Sequence, residues 1–289
     1  MPVFGAHMSI AGGYSEALPR IVAIGGNCLQ MFSASPRGWN LAKVSEEEAT
    51  AFRAEKMKRK IDPVYFHASY LINLADGGFI GDHSVESLIA EFTIASKLGV
   101  RGSIIHLGSF KDKQEKIKKG ELGLPGEKNP KYRTLIKNIT TVLRATPEDT
   151  LFIIENAGTR KIGMTMEEIG QIIADAGNDR VRVCLDTCHL HAAGYDLRSE
   201  EKLDLFLKLF DRCVGLKRLE CFHMNDSRDP FGSLRDRHEN IGDGEVGKEV
   251  FRLLLTHPKT KHIPCVIETP GFDGNGPDKK NLDILKSMI

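Results

Sequence analysis

The chain has 289 residues, and 40 lysines and arginines against 39 acidic residues leave a formal net charge of +1. This length suits one large α/β domain, and a hydrophobic share of 41% is enough for a sizeable core. No run of about 18 apolar residues occurs and the start MPVFGAHMS has no secretory pattern, so we expect a cytoplasmic protein with no membrane partner, monomeric by default. The balanced charge confines any nucleic-acid surface to a local patch.

The six cysteines are scattered along the chain, and most of them lie in apolar runs typical of strands. A disulfide scaffold would be small and dense in cysteine, so buried free thiols are predicted instead. Cys184 and Cys188 have the spacing C-x-x-x-C, which is not the usual spacing of a zinc knuckle.

Eight short apolar runs recur along the whole chain, and their near-continuous hydrophobicity is typical of parallel strands buried on both faces. The runs are VFGAHMS from Val3, CLQMFS from Cys28, PVYFHA from Pro63, GSIIHLG from Gly102, LFIIENA from Leu151, VRVCLDT from Val181, LECFHMND from Leu219 and PCVIETP from Pro264.

Segments with helical periodicity separate these runs. SEEEATAFRAEKMKRK opens with the capping-box spacing of Ser45 and Glu48, TMEEIGQIIADAG opens with Thr165, and SVESLIAEFTIASKLG ends on Gly99. Strand and helix alternate throughout, and eight such units with right-handed crossovers close into a barrel. We therefore predict an α/β fold, a (β/α)8 TIM barrel forming a single domain over residues 1–289. The charged piece at 110–129 is expected to be a solvated insertion.

A polar side chain stands at or near the carboxyl end of every predicted strand. In a TIM barrel this end carries the active site, and burying so many ionisable groups together is costly unless a cation compensates. Imidazole and carboxylate suit zinc, manganese or iron. The strand-end residues are His7, Gln30, His67, His106, Glu155, Asp186, His223 and Glu268.

Two further pieces enlarge the set of candidate metal ligands. Asp186 begins DTCH, which brings in His189, and the loop segment DRH places Asp236 and His238 on one side of an extended chain. A sugar isomerase with one or two metals could use the strand-end set alone. The larger set favours phosphodiester hydrolysis, in which two metals about 3.5–4 Å apart activate water and stabilise charge and a third can hold other oxygens. Glu155, central in the strand order, is the natural bridging carboxylate.

Several segments between about Val3 and Gly271 resemble the endonuclease IV family of abasic-site endonucleases, also known as AP endonuclease family 2. They are GAHMSIAGGY, HASYLINL, DTCHLHAAGYDL, HMNDS, GSLRDRHENIGDGEVG and IETP. The DTCH and DRH segments are highly specific to the family. IETP alone would be a weak match.

The resemblance implies a TIM barrel with three zinc ions, and Mn²⁺ or Fe²⁺ could replace zinc at some sites. His7 would support the ligands without binding metal, and Glu155 and Glu268 would be the catalytic carboxylates, with Glu268 also orienting the attacking water. The implied ligand sets are His67, His106 and Glu155 for one zinc, Glu155, Asp186, His223 and Glu268 for the second, and His189, Asp236 and His238 for the third.

The family reaction is cleavage of double-stranded DNA 5′ to an abasic site, which leaves a 3′-hydroxyl and a 5′-deoxyribose phosphate. The resemblance also implies that Arg37, Tyr70 and Leu71 insert into DNA at the abasic site, where unstacking costs least. Association with the nucleoid would follow in a bacterial or archaeal cell.

Three segments depart from the family pattern. His106-Leu107-Gly108 stands for the usual His-Pro-Gly, ENAGTRKIG is shorter than the usual glycine-rich segment, and the charged insertion follows His106. His191 stands at a position that is commonly aromatic, and we interpret it as a bystander. Two alternatives stay open on the sequence: a sugar isomerase or epimerase on the same barrel, and a DNA-damage binder without catalysis.

Overall fold

The structure is a computed structural model that describes residues 3–41, 43–110 and 129–289. Its strands are β1 (Phe4–His7), β2 (Cys28–Phe32), β3 (Val64–His67), β4 (Gly102–Ile105), β5 (Leu151–Glu155), β6 (Val181–Asp186), β7 (Leu219–His223), β8 (Asp226–Ser227), β9 (His238–Glu239) and β10 (Cys265–Ile267). Eight of them form a closed parallel barrel in the order β1-β10-β7-β6-β5-β4-β3-β2. The predicted TIM barrel is confirmed, and each of the eight apolar runs supplies one barrel strand.

The helices between the strands surround the barrel. In the described ranges they are α1 (Ala17–Ala23), α2 (Glu46–Lys58), α3 (Phe79–Leu98), α4 (Pro130–Ala145), α5 (Met166–Ala176), α6 (Thr187–Ala193), α7 (Glu200–Cys213), α8 (Lys248–Thr256) and α9 (Lys279–Lys286). None of these helices is long and apolar enough to cross a membrane. The charged insertion lies almost entirely at residues 111–128, outside the described residues.

The predicted helix boundaries agree with the structure at most ends. Ser45 and Glu48 form a complete capping box on α2, and Gly99 ends α3 in the left-handed conformation with φ of 64°. One end differs: α3 begins at Phe79, five residues before the predicted SVESLIAEFTIASKLG segment. Asp76 accepts hydrogen bonds from the backbone N–H of Gly78 and Gly81, so a carboxylate outside the helix satisfies its first turn.

The core divides into two clusters because neighbouring residues of a strand point to opposite faces. Val64 and Phe66 of β3 pack in the large cluster with helix residues, whereas Tyr65 between them belongs to a second, smaller cluster. That smaller cluster takes one buried residue from each of seven barrel strands and fills the barrel interior. Its members are Cys28, Tyr65, Ile104, Ile153, Cys184, Cys221 and Val266. All six cysteines are free, and five are buried.

This alternation also decides where the polar strand-end residues lie. Each residue of the interior cluster is followed two positions later by a polar residue, as Tyr65 is by His67 and Ile153 is by Glu155. In β1 the corresponding interior position is Gly5, where a Cβ would lie 2.2 Å from the carbonyl oxygen of Cys28. The period of two therefore directs all eight polar side chains inward, above a packed apolar floor.

Candidate metal centre and active site

A cavity of about 490 Å³ opens at the carboxyl ends of the barrel strands. It is lined by strand-end side chains and by residues of the loops that follow, with Phe32 and Thr269 among them. Glu155, Asp186 and His223 are fully buried beneath it. The predicted site residues that line the cavity are His7, His67, Tyr70, His106, His189, Asp236, His238 and Glu268.

The first group of metal-ligating side chains consists of His67, His106 and Glu155. One nitrogen or oxygen atom from each residue lies within 4.8 Å of the others. Glu155 Oε2 is 3.1 Å from His67 Nε2 and 3.3 Å from His106 Nε2. The three residues come from β3, β5 and the residue following β4, which are adjacent around the barrel.

The second group shares Glu155 with the first and adds Asp186, His223 and Glu268, again within 4.8 Å of one another. His223 Nδ1 lies 3.1 Å from Glu155 Oε1, 3.5 Å from Glu268 Oε2 and 3.8 Å from Asp186 Oδ2. Three carboxylates thus surround one imidazole nitrogen, and one carboxylate belongs to both groups.

The third group combines His189, Asp236 and His238. Asp186 is the N-cap of α6 and accepts a hydrogen bond from the backbone N–H of His189, which places that imidazole on the first turn of the helix. Asp236 Oδ1 lies 3.0 Å from His189 Nε2 and 3.5 Å from His238 Nε2. The structure thus brings together the nine side chains in the three sets that the resemblance implied, and their role as ligands stays a prediction.

The unpaired polar atoms of the site fit a cation. Within the described part of the chain, the buried ring nitrogens His106 Nδ1, His189 Nε2 and His238 Nε2 have no hydrogen-bond partner of good geometry. A buried unsatisfied nitrogen costs about 1–3 kcal/mol. Nε2 of His189 and Nε2 of His238 both lie beside Asp236, so a divalent cation bound to these two nitrogens would remove their share of that cost and neutralise the carboxylate. His106 has Nε2, not Nδ1, beside Glu155, so its unpaired atom is not explained in this way.

The electrostatics of the groups also favour added positive charge. Burial works to raise the pKa of Glu155, but His106, His223 and His189 outweigh it and hold that pKa well below its usual range. Burial works to lower the pKa of His223, but the charges of Glu268 and Glu155 raise it to about 10. The carboxylates therefore stay ionised and draw cations, either protons or metal ions, into the site.

A further group of potential ligands includes the thiol of Cys188, whose spacing from Cys184 did not indicate a zinc site. Cys188 Sγ lies within 4.8 Å of ligand atoms of Asp186 and His238. Burial raises the pKa of Cys188 to about 12, and metals bind the thiolate form. Its hydrogen bond to the carbonyl of Arg237 fits a structural thiol better than a ligand.

Two uncharged side chains orient the ligands, and only one of them was marked at a strand end. Gln30 accepts a 2.7 Å hydrogen bond from His223 Nε2 and donates to Glu268 Oε1. Asn225 donates a 2.7 Å bond to Asp186 Oδ2 and accepts from the backbone N–H of Glu268 at 2.8 Å. Asn225 lies two residues after His223, a spacing that places both on one side of an extended chain.

A small antiparallel ribbon, β8 with β9, holds the loop that carries Asp236 and His238. Asp226 is fully buried and accepts from three backbone N–H groups, including those of Gly242 and Val246. Asp229 accepts from Arg237 through both carboxylate oxygens, at 2.6 and 2.7 Å. These contacts fix the loop from both sides of the ligand pair. The sequence predicted neither the ribbon nor the Asp229–Arg237 pair.

The predicted DNA-contact residues lie on the surface near the cavity. Tyr70 is 68% exposed and Leu71 36% exposed, so neither is a core residue. The ring of Tyr70 packs edge to face against Phe32, with centroids 5.4 Å apart, and Arg37 is exposed on the loop after β2. The structure thus places all three where a macromolecule could reach them, and their role in DNA binding stays a prediction.

His7 and His191 have different surroundings. His7 Nδ1 lies 3.4 Å from Glu268 Oε1 and 2.9 Å from Gln30 Nε2, beside the second group of ligands. His191 is buried outside the residues that line the cavity, with Nε2 3.2 Å from the carbonyl oxygen of Asp229. His191 thus supports the loop after β8.

Comparisons with known proteins agree with this fold. Residues 18–288 match the family model described as a xylose isomerase-like TIM barrel. The chain therefore belongs to the xylose isomerase-like TIM barrel family.

Within that class, several similar proteins are named as endonucleases. A probable endonuclease 4 from Chloroflexus aggregans is 36% identical over 293 aligned positions, which cover 100% of this chain and 98% of that protein. The crystal structure of endonuclease IV from Thermus thermophilus superposes with a TM-score of 0.84 at 31% identity, covering 99% of this chain and 98% of the other. The chain belongs to the endonuclease IV family.

A 3-keto-D-glucoside 4-epimerase from E. coli has the same fold, with a TM-score of 0.68 at 12% identity, covering 99% of this chain and 100% of the other. At that identity the likeness concerns the fold alone.

Proposed function

We propose that this chain, acting as a single barrel domain, is a DNA-repair endonuclease that hydrolyses the phosphodiester 5′ to abasic sites in double-stranded DNA. The products are a 3′-hydroxyl and a 5′-deoxyribose phosphate. The observation that carries the proposal is that one fully buried carboxylate, Glu155, is shared by two adjoining groups of ligands. A shared carboxylate is the arrangement that holds two cations close together for phosphodiester hydrolysis. Membership of the endonuclease IV family supports the same activity.

Three divalent cations are proposed, zinc at most or all positions, with Mn²⁺ or Fe²⁺ as substitutes at some of them. When bound, such cations activate water at neutral pH and stabilise the negative charge that develops on phosphodiester oxygens. The unpaired ring nitrogens of His189 and His238, both beside Asp236, support a cation at the third group. The proposed ligands are His67, His106 and Glu155 for the first cation, Glu155, Asp186, His223 and Glu268 for the second, and His189, Asp236 and His238 for the third.

Glu268 is proposed to orient the attacking water. Its side chain is 18% exposed at the cavity, whereas Glu155 is fully buried. Gln30 and His7 hold Glu268 Oε1, and His223 Nδ1 lies 3.5 Å from Glu268 Oε2. A carboxylate held through one oxygen and reached by solvent can accept a proton at a defined place.

Arg37, Tyr70 and Leu71 are proposed to enter the DNA at the abasic site. An exposed aromatic ring and an exposed aliphatic side chain can fill the space of a missing base, where stacking is already lost. The 68% exposure of Tyr70 supports this role, since it leaves most of the ring free for contact.

A sugar isomerase or epimerase is less well supported. One or two metals serve such chemistry, and the first two groups would supply them. The third group, His189, Asp236 and His238, is stabilised by a dedicated ribbon and ion pair, which such an enzyme would not require. Elemental analysis separates the functions: about three metals per chain support the endonuclease, and one or two support the isomerase.

The direct test uses a labelled duplex with one tetrahydrofuran abasic analogue. Purified protein should cut it on the 5′ side, and a chelator should abolish the cut. Glu268→Gln should lose most of the turnover while still binding the duplex. Glu220→Gln is the matched control, because Glu220 bonds to Tyr65 and Arg101 away from the cavity. Absence of incision by metal-loaded protein would refute the proposal.

A further inference from the structure

One lysine lines the cavity among the metal-ligating groups. Lys161 belongs to the loop between β5 and α5, its side chain is exposed, and it is the one lysine or arginine among the described residues that line this cavity. His106 of the first group lines the same cavity, so Lys161 and the first group of ligands border one space.

Three arginines of the loop between β8 and β9 are paired with acidic residues. Arg237 and Arg235 both bond to Asp229, and Arg228 pairs with Glu239 at 3.1 Å. For Lys161, no acidic residue in the described part of the chain comes within ion-pairing distance. An unpaired cation at the mouth of a cavity is available to an anionic ligand.

The backbone holds this lysine in place from both sides. The N–H of Ile162, the buried neighbour of Lys161, donates to the carbonyl of Gly108 at 3.1 Å. Glu168 accepts from the N–H of Gly163 at 2.8 Å, next to Ile162. The backbone amide of Lys161 itself bonds to the carbonyl of Thr159 at 2.7 Å. The position of residue 161 relative to His106 is therefore fixed by the fold.

The start of the same loop packs against His189 of the third group. A Cβ on Gly158 would lie 2.8 Å from Cα of His189 and 2.9 Å from its ring, so only glycine allows this approach. The loop is therefore held at two points. Gly158 packs against His189 of the third group, and Ile162 bonds to Gly108, two residues after His106 of the first group. Lys161 therefore lines the cavity between residues of the first and third groups.

We propose that Lys161 binds a backbone phosphate of the DNA strand that enters the cavity, and so helps to position the strand for cleavage. An ammonium group is a compact point charge that suits phosphate oxygens. The inference rests on the proposed function, since it takes DNA as the ligand. It assigns Lys161 to substrate binding and not to metal binding.

The test measures binding of the tetrahydrofuran duplex by fluorescence anisotropy at several KCl concentrations, in the Glu268→Gln background to slow incision. The logarithm of the association constant falls linearly with the logarithm of the salt concentration, and each phosphate contact adds about 0.9 to the magnitude of this slope. Lys161→Met should reduce that slope by about 1 and weaken binding about 5- to 10-fold near 0.1 M salt, whereas Lys161→Arg should keep the slope. Metal content should be unchanged in both.

Arg160→Met is the matched control, because Arg160 is the exposed neighbour, carries the same charge and does not line the cavity. It should change affinity less than 2-fold. Equal slopes for Lys161→Met and the parent, equal effects of Lys161→Met and Arg160→Met, or metal loss in Lys161→Met would each overturn the inference.

The two proposals fail in distinguishable ways. If the wild-type protein binds the abasic duplex without cutting it, the proposed function is wrong and the salt slopes still decide the role of Lys161. If the wild-type protein cuts the duplex and the slopes are equal, only the role of Lys161 is wrong. If the wild-type protein does not bind the duplex, both are overturned.

Discussion

Nε2 of His223 lies 2.7 Å from Oε1 of Gln30, and this contact determines which ring nitrogen of the buried imidazole carries a proton. The amide oxygen can only accept, and the amide nitrogen of the same side chain donates to Glu268. Nε2 therefore carries a proton, and Nδ1 points at the carboxylates of the second group, 3.1 Å from Glu155. A histidine that binds metal through one nitrogen is held by a hydrogen bond at the other.

Gln30→Leu should weaken metal binding at the second group because it removes this hydrogen bond. Loss of such an outer contact costs about 10- to 100-fold in metal affinity or activity. Competition with a zinc-binding dye measures the affinity, and the abasic duplex measures turnover. Gln171→Leu, on an exposed side chain of α5 that bonds to Asp175, is the control. Unchanged affinity in Gln30→Leu would show that Gln30 does not support the ligand.

Asp229→Asn should loosen the loop that carries Asp236 and His238. An amide cannot accept both hydrogen bonds that Arg237 donates. We expect the third group to lose about 10-fold in metal affinity, so that dialysis against a weak chelator leaves about two metals per chain where the parent keeps three.

Asp196→Asn is the control for that change, since Asp196 also binds two cations, Arg198 and Lys202, away from the cavity. Elemental analysis after dialysis reports the outcome. Equal metal content in Asp229→Asn and Asp196→Asn would contradict a role for the Asp229–Arg237 pair in holding the third group.

Tyr70→Ala should reduce affinity for abasic DNA with little effect on intact DNA. Stacking of a base on an aromatic ring contributes about 1–3 kcal/mol, so a loss of about 10-fold is expected for the abasic duplex. Binding to both duplexes is compared by anisotropy. Met57→Ala is the control, because Met57 is 76% exposed on α2 and does not line the cavity. An equal loss on both duplexes would indicate a general contact and not insertion.

Glu91→Gln should make the protein more stable above pH 4.5. Glu91 of α3 is buried between the hydroxyls of Ser33 and Ser103, and burial raises its pKa to about 7 against the opposing effect of those hydroxyls. Between pH 4.5 and 7 the unfolded chain releases this proton while the folded protein keeps it. The contribution of Glu91 to the free energy of unfolding therefore falls between pH 4.5 and 7 and is constant above pH 7.

The increase in the free energy of unfolding from Glu91→Gln should be near zero at pH 4 and reach roughly 3 kcal/mol at pH 8, because the pKa of Glu91 rises from 4.5 to about 7 on folding. Urea unfolding at fixed metal excess measures it. Glu46→Gln is a control of opposite sign, since Lys97 lowers the pKa of this exposed carboxylate. Parallel stability curves for Glu91→Gln and the parent between pH 4 and 8 would refute the prediction.

Much of the barrel could be predicted because its signals are local. Apolar runs mark the strands, Ser45 with Glu48 marks the start of α2, and Gly99 marks the end of α3. These depend on backbone preferences and on side chains a few residues apart. The start of α3 was misplaced because Asp76, which satisfies its first turn, lies in the preceding loop.

The sequence by itself determined the eight strands, the alternation within each and the identity of the polar residue at each strand end. A period of two needs no distant partner, so His67, Glu155 and His223 could be assigned to one end of the barrel. The resemblance to a known family added which residues would share a metal.

Only the tertiary structure decided how those side chains meet. Glu155 belongs to two groups of ligands because barrel closure and strand register bring the end residues of β3, β5 and β7 together inside the barrel. Asn225, the β8–β9 ribbon and the position of Lys161 over the cavity depend on hydrogen bonds between distant segments. Such contacts form only when the chain has closed, so no local pattern could have fixed them.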